Sequence, residues 1–441
     1  MKLLQAFHHT LVHIFHQRND REQSPVKPTL KTYILALTLS GLFAAAPMAT
    51  FAQSASNFAG PDSTPNVLAS DAEDSDDLLG INKQQSWSEW KAGVKERTGF
   101  DFGIDYNVLG YKASSSLGED NTASGALRIF GTWELLNRGQ ANSGKLVFKF
   151  EHRHAFTDVA PTDFGSELGY AGLVSSVFSD QGTRMTHFYW QQDFAEGRGT
   201  VYAGWLDVTD YTDVYALASP WSGFSNLAFQ TGSGTIGGLP DGALGVMAGG
   251  FLSDNYYVAA SIVDANGDPT DPLAGFDTFF NDFETFKTLE FGWTSGPDAL
   301  FFDNAHVTLW QIDERTAAGS PSGYGAAFSY SKAIDNTWLP FIRGGWAKDG
   351  GSLYETALSA GFGYTTNPGQ NMLGAGLNWS RPNEDTFGSK LDDQYSLEVF
   401  QQWQLTEGIE LTPSIQAIKN PALNPTKDTV AMFGLRLRAA F

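Results

Sequence analysis

The chain has 441 residues, no cysteine and a formal net charge of −21 at pH 7. Without cysteine it has no disulfides, thiolate metal sites or thiol nucleophiles. The acidic charge argues against nucleic acid as a partner, because phosphate binding depends on clustered basic side chains. Aromatic residues make up 14%, glycines number 47 and charged residues account for only 17%. This composition favours strands and turns, and therefore an all-β protein.

Residues 1–52 have the features of a secretory signal peptide. Basic residues up to Lys31 precede an apolar stretch, and the sequence TFA that ends at Ala52 places small residues where a signal peptidase cleaves. The alternative is a transmembrane anchor, but the apolar core over 33–46 is short for a span of about 20 residues. We therefore predict cleavage after Ala52.

Two further segments precede the first predicted strand. Residues 53–80 are rich in Ser, Ala, Asn, Asp and Pro and include the acidic run DAEDSDD, so we predict a disordered lead-in. Residues 81–98 predict one short amphipathic helix, because Trp87, Trp90 and Val94 recur at helical spacing. This helix either packs at the mouth of a barrel, which we favour, or lies on the lipid surface.

Residues 99–441 predict a transmembrane antiparallel β-barrel. The hydrophobic period becomes two at Phe100, and similar alternating segments recur between turn sequences such as TNPG at 366–369. Such strands are apolar only on the face toward lipid, so a mean hydropathy of −0.23 is compatible with a membrane barrel. A β-sandwich is the alternative. The chain has room for about 14 to 18 strands, and we predict the even count of sixteen.

The last predicted strand carries a second signal for the outer membrane. Phe433, Leu435 and Leu437 share one face with the terminal Phe441, whereas Arg436 lies on the opposite face. A terminal aromatic residue that closes an alternating strand is typical of outer-membrane barrels, so we expect the barrel-assembly machinery to recognise Phe441. Outer-membrane lipid would contact the apolar face, and the arginine indicates a polar lumen.

Three sequence blocks together indicate a family. They are the C-terminal block with LTP, NPALNP and FGLRLRAAF, the block SWSEWKAGVKERTGFDFGIDY, and the block WQQDFAEGRGTVYAGWLDVTDYTD. With these blocks the chain resembles the carbohydrate-selective porins of the OprB family. The resemblance implies a sixteen-stranded barrel in the outer membrane of a Gram-negative bacterium, for passive uptake of glucose and related small sugars. The sequence GWLD at 204–207 departs from the family pattern, which suggests a different lumen charge.

A pore for uncharged sugars needs hydrogen-bond donors, acceptors and aromatic faces at its constriction. Charged side chains on the predicted lumen faces could supply the polar groups, although each could also be a solvated charge on the pore wall. The candidates are Arg128, Glu134, Lys149, Glu151, Arg153, Arg343, Glu398 and Arg436. Glu151 and Arg153 are expected to form a local pair. The segments 207–242 and 264–285 are long enough to act as constricting loops.

The sequence gives little support to an enzyme, a metal site or a cofactor. After the leader only four histidines remain, and none lies in a nucleophile motif: His152, His154, His187 and His306. A triplet of aspartates at every third position suggests calcium, but an acidic loop is more common: Asp207, Asp210 and Asp213. A general diffusion porin and a non-conducting barrel for adhesion or export remain as alternatives. The sequence also leaves a homo-oligomer open.

Overall fold

The computed structural model describes residues 58–72, 78–79, 85–367 and 371–441. The described residues form a closed barrel of sixteen antiparallel strands, in which each strand pairs with its sequence neighbours and β1 pairs with β16. The predicted fold class and strand count are therefore confirmed. The predicted signal peptide lies outside the described residues.

The strands run around the barrel in chain order. The first eight are β1 (Phe100–Ala113), β2 (Asn121–Leu136), β3 (Gly144–Ala155), β4 (Gly182–Phe194), β5 (Gly199–Asp207), β6 (Asp241–Phe251), β7 (Tyr256–Asp264) and β8 (Thr285–Thr294). The second eight are β9 (Asn304–Ile312), β10 (Gly323–Ser331), β11 (Trp338–Asp349), β12 (Tyr354–Asn367), β13 (Asn371–Pro382), β14 (Gln394–Thr406), β15 (Ile409–Lys419) and β16 (Thr429–Ala440).

The alternation in the sequence determines which side chains face outward. In β2, Leu127 and Ile129 are exposed on the outer surface, whereas Arg128 and Phe130 are buried inside the barrel. In β16, Phe433 and its apolar neighbours are likewise exposed outside. Because side chains alternate along a strand, one outer face can be apolar while the lumen is polar. The lumen is thus lined by charged and polar residues, as the sequence predicts.

Long connections gather at the end of the barrel opposite the chain termini. Two of them fold into the lumen: the second inner loop (156–181) and the constriction loop (208–240), and most of their residues are buried. The segment 207–242, which the sequence marks as long enough for a constricting loop, does fold into the lumen, whereas the second inner loop was not predicted. The segment 264–285 does not fold inward, because its apolar side chains, such as Phe280, are exposed.

The residues that precede the barrel differ from the predicted disordered lead-in. Residues 58–72, hereafter the N-terminal segment, lie inside the barrel and end in helix α1 (Thr64–Ala72). Phe58 is 2% exposed and packs on Tyr257, with ring centres 6.0 Å apart. Leu68 is also buried. The polar composition suggested disorder, but the barrel wall supplies the apolar surface that this short segment lacks by itself.

Helix α2 (Gln85–Thr98) precedes β1 and ends at Gly99, whose φ of 75° suits a helix C-terminus. Trp87 and Trp90 stack on each other and pack edge-on against Phe102, which belongs to the outer face of β1. The helix therefore packs on the outer face of β1 and reaches the rim of the barrel, where Lys91 contacts Phe441 and Arg138 of the β2–β3 turn donates to Thr98. This position is compatible with packing at the mouth and with contact to the lipid surface.

The remaining helices among the described residues are short: α3 (Phe164–Leu168), α4 (Gly275–Asp277) and α5 (Glu384–Phe387). Single 3₁₀ or π turns occur at 208–210, 227–229, 231–234, 272–274, 278–282 and 297–299. None of the helices in the described part of the chain is long and apolar enough to cross a membrane.

Candidate solute path in the barrel lumen

Asp213 attaches the first half of the constriction loop to the barrel wall. Its carboxylate accepts a hydrogen bond from Arg343 of β11 at 2.5 Å and lies 2.8 Å from Nε2 of His306 in β9. The Arg343 guanidinium also stacks 4.0 Å from the ring of Tyr215. Burial alone would raise the pKa of Asp213, but Arg343 and His306 lower it below its usual value. The loop therefore carries an ionised carboxylate into a matching basic pocket.

Glu398 and Arg436 hold the second half of the same loop. The Glu398 carboxylate accepts hydrogen bonds from the backbone N–H groups of Ser225 and Asn226, both at 2.9 Å, and from the Ser225 hydroxyl at 2.7 Å. Arg436 donates to the carbonyl oxygens of Pro220 and Gly223 at 3.0 and 3.1 Å. Two predicted lumen residues thus fix the loop backbone, since charge-assisted hydrogen bonds of this kind are strong.

A second group of charges lines the wall from β16 through β1 to β4, which we call the charged arc. Its members are Asp105, Arg128, Lys149, Glu151, Arg153, Arg184 and Arg438. Arg128 donates from Nε to Asp105 at 2.8 Å, and Arg438 donates to the same carboxylate at 2.9 Å. Arg153 donates to Glu151 at 2.8 Å, which confirms the predicted local pair. The arc is rich in arginine, with carboxylates interspersed.

Trp221, from the constriction loop, lies against the charged arc. The guanidinium carbon of Arg128 is 4.3 Å from the centre of the indole ring, and that of Arg153 is 5.6 Å away. The ring of Phe178, from the second inner loop, lies 5.2 Å from Trp221. An aromatic face is thereby placed beside forked donors and their paired carboxylates. Trp221 is 4% exposed, so these contacts hold the constriction loop against a wall that offers both hydrogen-bond donors and acceptors.

The predicted aspartate triplet divides between two locations. Asp207 and Asp210 meet His187 of β4 in a buried group whose possible ligand atoms lie within 4.8 Å of one another, whereas Asp213 binds Arg343 on the opposite wall. His187 Nε2 lies 2.9 Å from Asp210, and the ammonium of Lys149 lies 3.6 Å from the same carboxylate. Because Lys149 already balances the negative charge, we interpret this group as an ion-pair cluster and not as a calcium loop.

Seven of the eight predicted lumen residues face inward and are buried against the inner loops or the charged arc; the exception is Glu134. Glu134 lies near the end of β2 and accepts a hydrogen bond from the backbone N–H of Gly139 at 2.9 Å. It therefore stabilises the turn between β2 and β3 and takes no part in the constriction. The alternation placed it on the lumen face, but position along the strand cannot be read from period alone.

Several site residues were missing from the predicted set. Asp105 and Arg438 alternate with apolar residues in β1 and β16, so their period could have identified them. Asp213 and Trp221 lie in an irregular loop, where no period exists. The wall residues that they contact are determined by the way in which the loop folds back into the barrel.

His152 and His154 lie on the outer face of β3, as the alternation predicts. His152 is exposed and His154 lies half-buried on the lipid side, whereas Glu151 and Arg153 point into the lumen. His154 Nε2 lies 3.0 Å from the hydroxyl of Tyr106 on the same surface. Neither imidazole reaches the charged arc.

Comparison with known proteins gives a family match over the C-terminal part of the chain, and a fold. Residues 304–441 match the model of the carbohydrate-selective porin family, OprB, which confirms the resemblance recognised in the sequence. Among solved structures, the high-pH structure of OprB from Pseudomonas putida is 14% identical and has a TM-score of 0.64. The alignment covers 81% of this chain and 97% of that chain. At this identity the likeness shows the fold alone.

A second similar structure is a triple mutant of the porin of Rhodopseudomonas blastica, at 12% identity and a TM-score of 0.48. The alignment covers 78% of this chain and 100% of that porin. A search of curated proteins gave no match to the sequence.

Proposed function

We propose that this chain, whose residues 304–441 match the model of the carbohydrate-selective porin family, belongs to that family and lets small sugars diffuse passively across the outer membrane of a Gram-negative bacterium. The observation that carries the proposal is a lumen wall on which arginines alternate with carboxylates, next to Trp221 of the constriction loop. Arg128, Arg153 and Trp221 are each at most 4% exposed, so a passing sugar meets the edge of this cluster, where donors and acceptors lie side by side.

The charges of the lumen suit an uncharged polyol better than an ion. Arg128 and Asp105 neutralise each other, as do Arg153 and Glu151, so the wall offers donors and acceptors without a strong net field. A neutral sugar can exchange hydrogen bonds with water for hydrogen bonds with such pairs at little net cost. A charged solute gains much less binding free energy, because each wall charge that attracts it has a neighbouring charge that repels it.

The outer surface supports a location in a lipid bilayer. Exposed apolar side chains alternate along the strands, as Leu435 and Leu437 do in β16, which is the arrangement for contact with outer-membrane lipid. Phe441 is 58% exposed; its backbone N–H donates to the carbonyl of Ile104 and its backbone oxygen accepts from Lys91 at 3.3 Å, so its contacts are made by the backbone. This terminal aromatic side chain is therefore accessible to the barrel-assembly machinery.

Liposome swelling tests the proposed function directly. The mature chain is reconstituted, and swelling is compared for glucose, maltose, an uncharged amino acid and a charged solute of similar size. We expect the fastest swelling with glucose. Equal rates for all solutes would indicate a general diffusion porin, and no swelling with a correctly folded barrel would refute a pore altogether.

Two matched variants locate the selectivity. Arg128→Gln keeps a hydrogen-bonding side chain but removes the guanidinium beside Trp221, and we expect the preference for glucose to fall. Glu134→Gln changes a charge at the β2–β3 turn, away from the proposed path, and we expect no change. An equal loss of preference in both variants would contradict the assignment of the sugar contact to Trp221 and its neighbours.

A further inference from the structure

The N-terminal segment crosses the lumen and contacts both the wall and the constriction loop. At one end Phe58 packs on Tyr257 of β7, and at the other end Asp71 accepts two hydrogen bonds from Arg438 of β16, at 2.8 and 2.9 Å. Between them, the Thr64 hydroxyl lies 3.2 Å from Nδ1 of His187 in β4. The segment therefore follows the inner wall from β16 to β7, past the charged arc.

The same segment is fitted closely to the constriction loop. The Gly60 N–H donates to the carbonyl of Asp210 at 2.5 Å, and a Cβ at Gly60 would lie only 2.9 Å from Cγ1 of Val214. The hydroxyl of Ser219 donates to the carboxylate of Asp62. Such a close approach leaves no room for a solute between segment and loop at these contacts.

Charge complementarity also favours this position. The segment brings Asp71 to Arg438, which also binds Asp105 and Glu410 on the wall. Opposite charges in a partly desolvated site attract more strongly than they do in water. One carboxylate of the acidic lead-in is therefore matched by a basic side chain of the wall.

From these contacts we infer that residues 58–72 are a resident part of the pore, which narrows the lumen and sets the size limit for solutes. The inference deepens the proposed function and rests on it. The predicted cleavage after Ala52 leaves residues 58–72 in the mature chain, so each mature pore would contain them. Solutes pass only through the space that the segment and the constriction loop leave free.

The test replaces residues 58–72 with a flexible Gly/Ser sequence of equal length. Single-channel conductance in planar bilayers should increase, and liposome swelling should extend to larger oligosaccharides. As a control, the same kind of replacement at 276–282, in the loop that stays outside the lumen, should leave conductance unchanged. Unchanged conductance and an unchanged size limit in the first variant would overturn the inference.

A thiol-labelling measurement separates this inference from the proposed function. The chain has no cysteine, so Thr64→Cys introduces a single thiol at a position that is 1% exposed. It should resist a polyethylene-glycol maleimide, whereas Ala318→Cys, in an exposed turn, should react quickly. Equal reactivity would overturn the docked position of the segment. If the thiol is protected but the native chain conducts nothing, the proposed function fails instead.

Discussion

The constriction loop and the N-terminal segment both lie in the lumen, but they are held in different ways. The loop is continuous with β5 and β6 at its two ends, and buried charges fix both of its halves through Asp213 and Glu398. The N-terminal segment precedes α2 and β1 in the chain, and its polar contacts with the wall include the pair of Asp71 and Arg438 and the contact between Thr64 and His187. The comparison indicates that the loop is a permanent constriction, whereas the segment, although resident in the native pore, can be released without unfolding the barrel.

The strongest test of the permanent constriction is Arg343→Met. This change leaves the Asp213 carboxylate buried with one partner fewer, and breaking a buried pair in this way costs about 3–5 kcal/mol. We expect a clear fall in the unfolding temperature, measured by the heat-dependent gel mobility of the barrel, and a higher conductance. Arg381→Met, which removes an exposed pair with Asp393, should cost at most about 1 kcal/mol. Similar losses in the two variants would contradict the role of Arg343.

Glu398→Gln should have the next largest effect. The neutral amide is a weaker acceptor for the N–H groups of Ser225 and Asn226, and the loss of charge-assisted hydrogen bonds costs about 1.5–3 kcal/mol. We expect a lower unfolding temperature together with a noisier open-channel current, because the loop backbone is released locally. A current trace indistinguishable from that of the native chain would show that Glu398 does not hold the loop.

The pH dependence of conductance should report on the N-terminal segment. Burial raises the pKa of Asp62 to about 6, with Asp210 adding to this and Ser219, Arg128 and Lys149 opposing it. The docked segment therefore binds a proton more tightly than the released segment, whose carboxyl has the usual pKa of about 3.8. The free energy of docking therefore becomes more favourable as pH falls through about 6, and this gain is lost as pH rises. Between pH 7 and pH 5 the raised pKa of Asp62 stabilises the docked segment by about 1 kcal/mol.

We therefore expect conductance to fall from pH 7 to pH 5 as the segment docks more tightly. Asp62→Asn removes the titrating group and should abolish this part of the response. If the native chain and Asp62→Asn respond to pH alike, the titration of Asp62 has no part in docking.

Asp71→Asn should have the smallest effect on stability and the most specific effect on the pore. Arg438 keeps Asp105 and Glu410 as partners and the amide of Asn can still accept a hydrogen bond from it, so the change costs about 1 kcal/mol. We expect a modest increase in conductance with no measurable change in the unfolding temperature of the barrel. An unfolding temperature as low as that of Arg343→Met would mean that the segment is part of the barrel's stability and is not separable.

These differences also explain what the sequence could predict. The barrel follows from alternation, since Leu127 and Arg128 are assigned to opposite faces by period alone, and the ion pair of Glu151 and Arg153 follows from the same rule. Alternation gives the face of the strand on which a residue lies but not its position along the barrel axis. For this reason Glu134 was predicted among the lumen residues, although it lies at the end of β2. The position of the N-terminal segment was not predictable either, because Asp71 and its partner Arg438 are 367 positions apart.

The most direct measurement is the ion current through single channels of the native chain while glucose is added in steps. A sugar that binds beside Trp221 displaces water and ions from the narrow part of the lumen, so we predict a saturable decrease in current. Arg128→Gln should shift that decrease to higher glucose concentrations. A current that falls only in proportion to the viscosity of the solution, with no saturation, would contradict a sugar site in this pore.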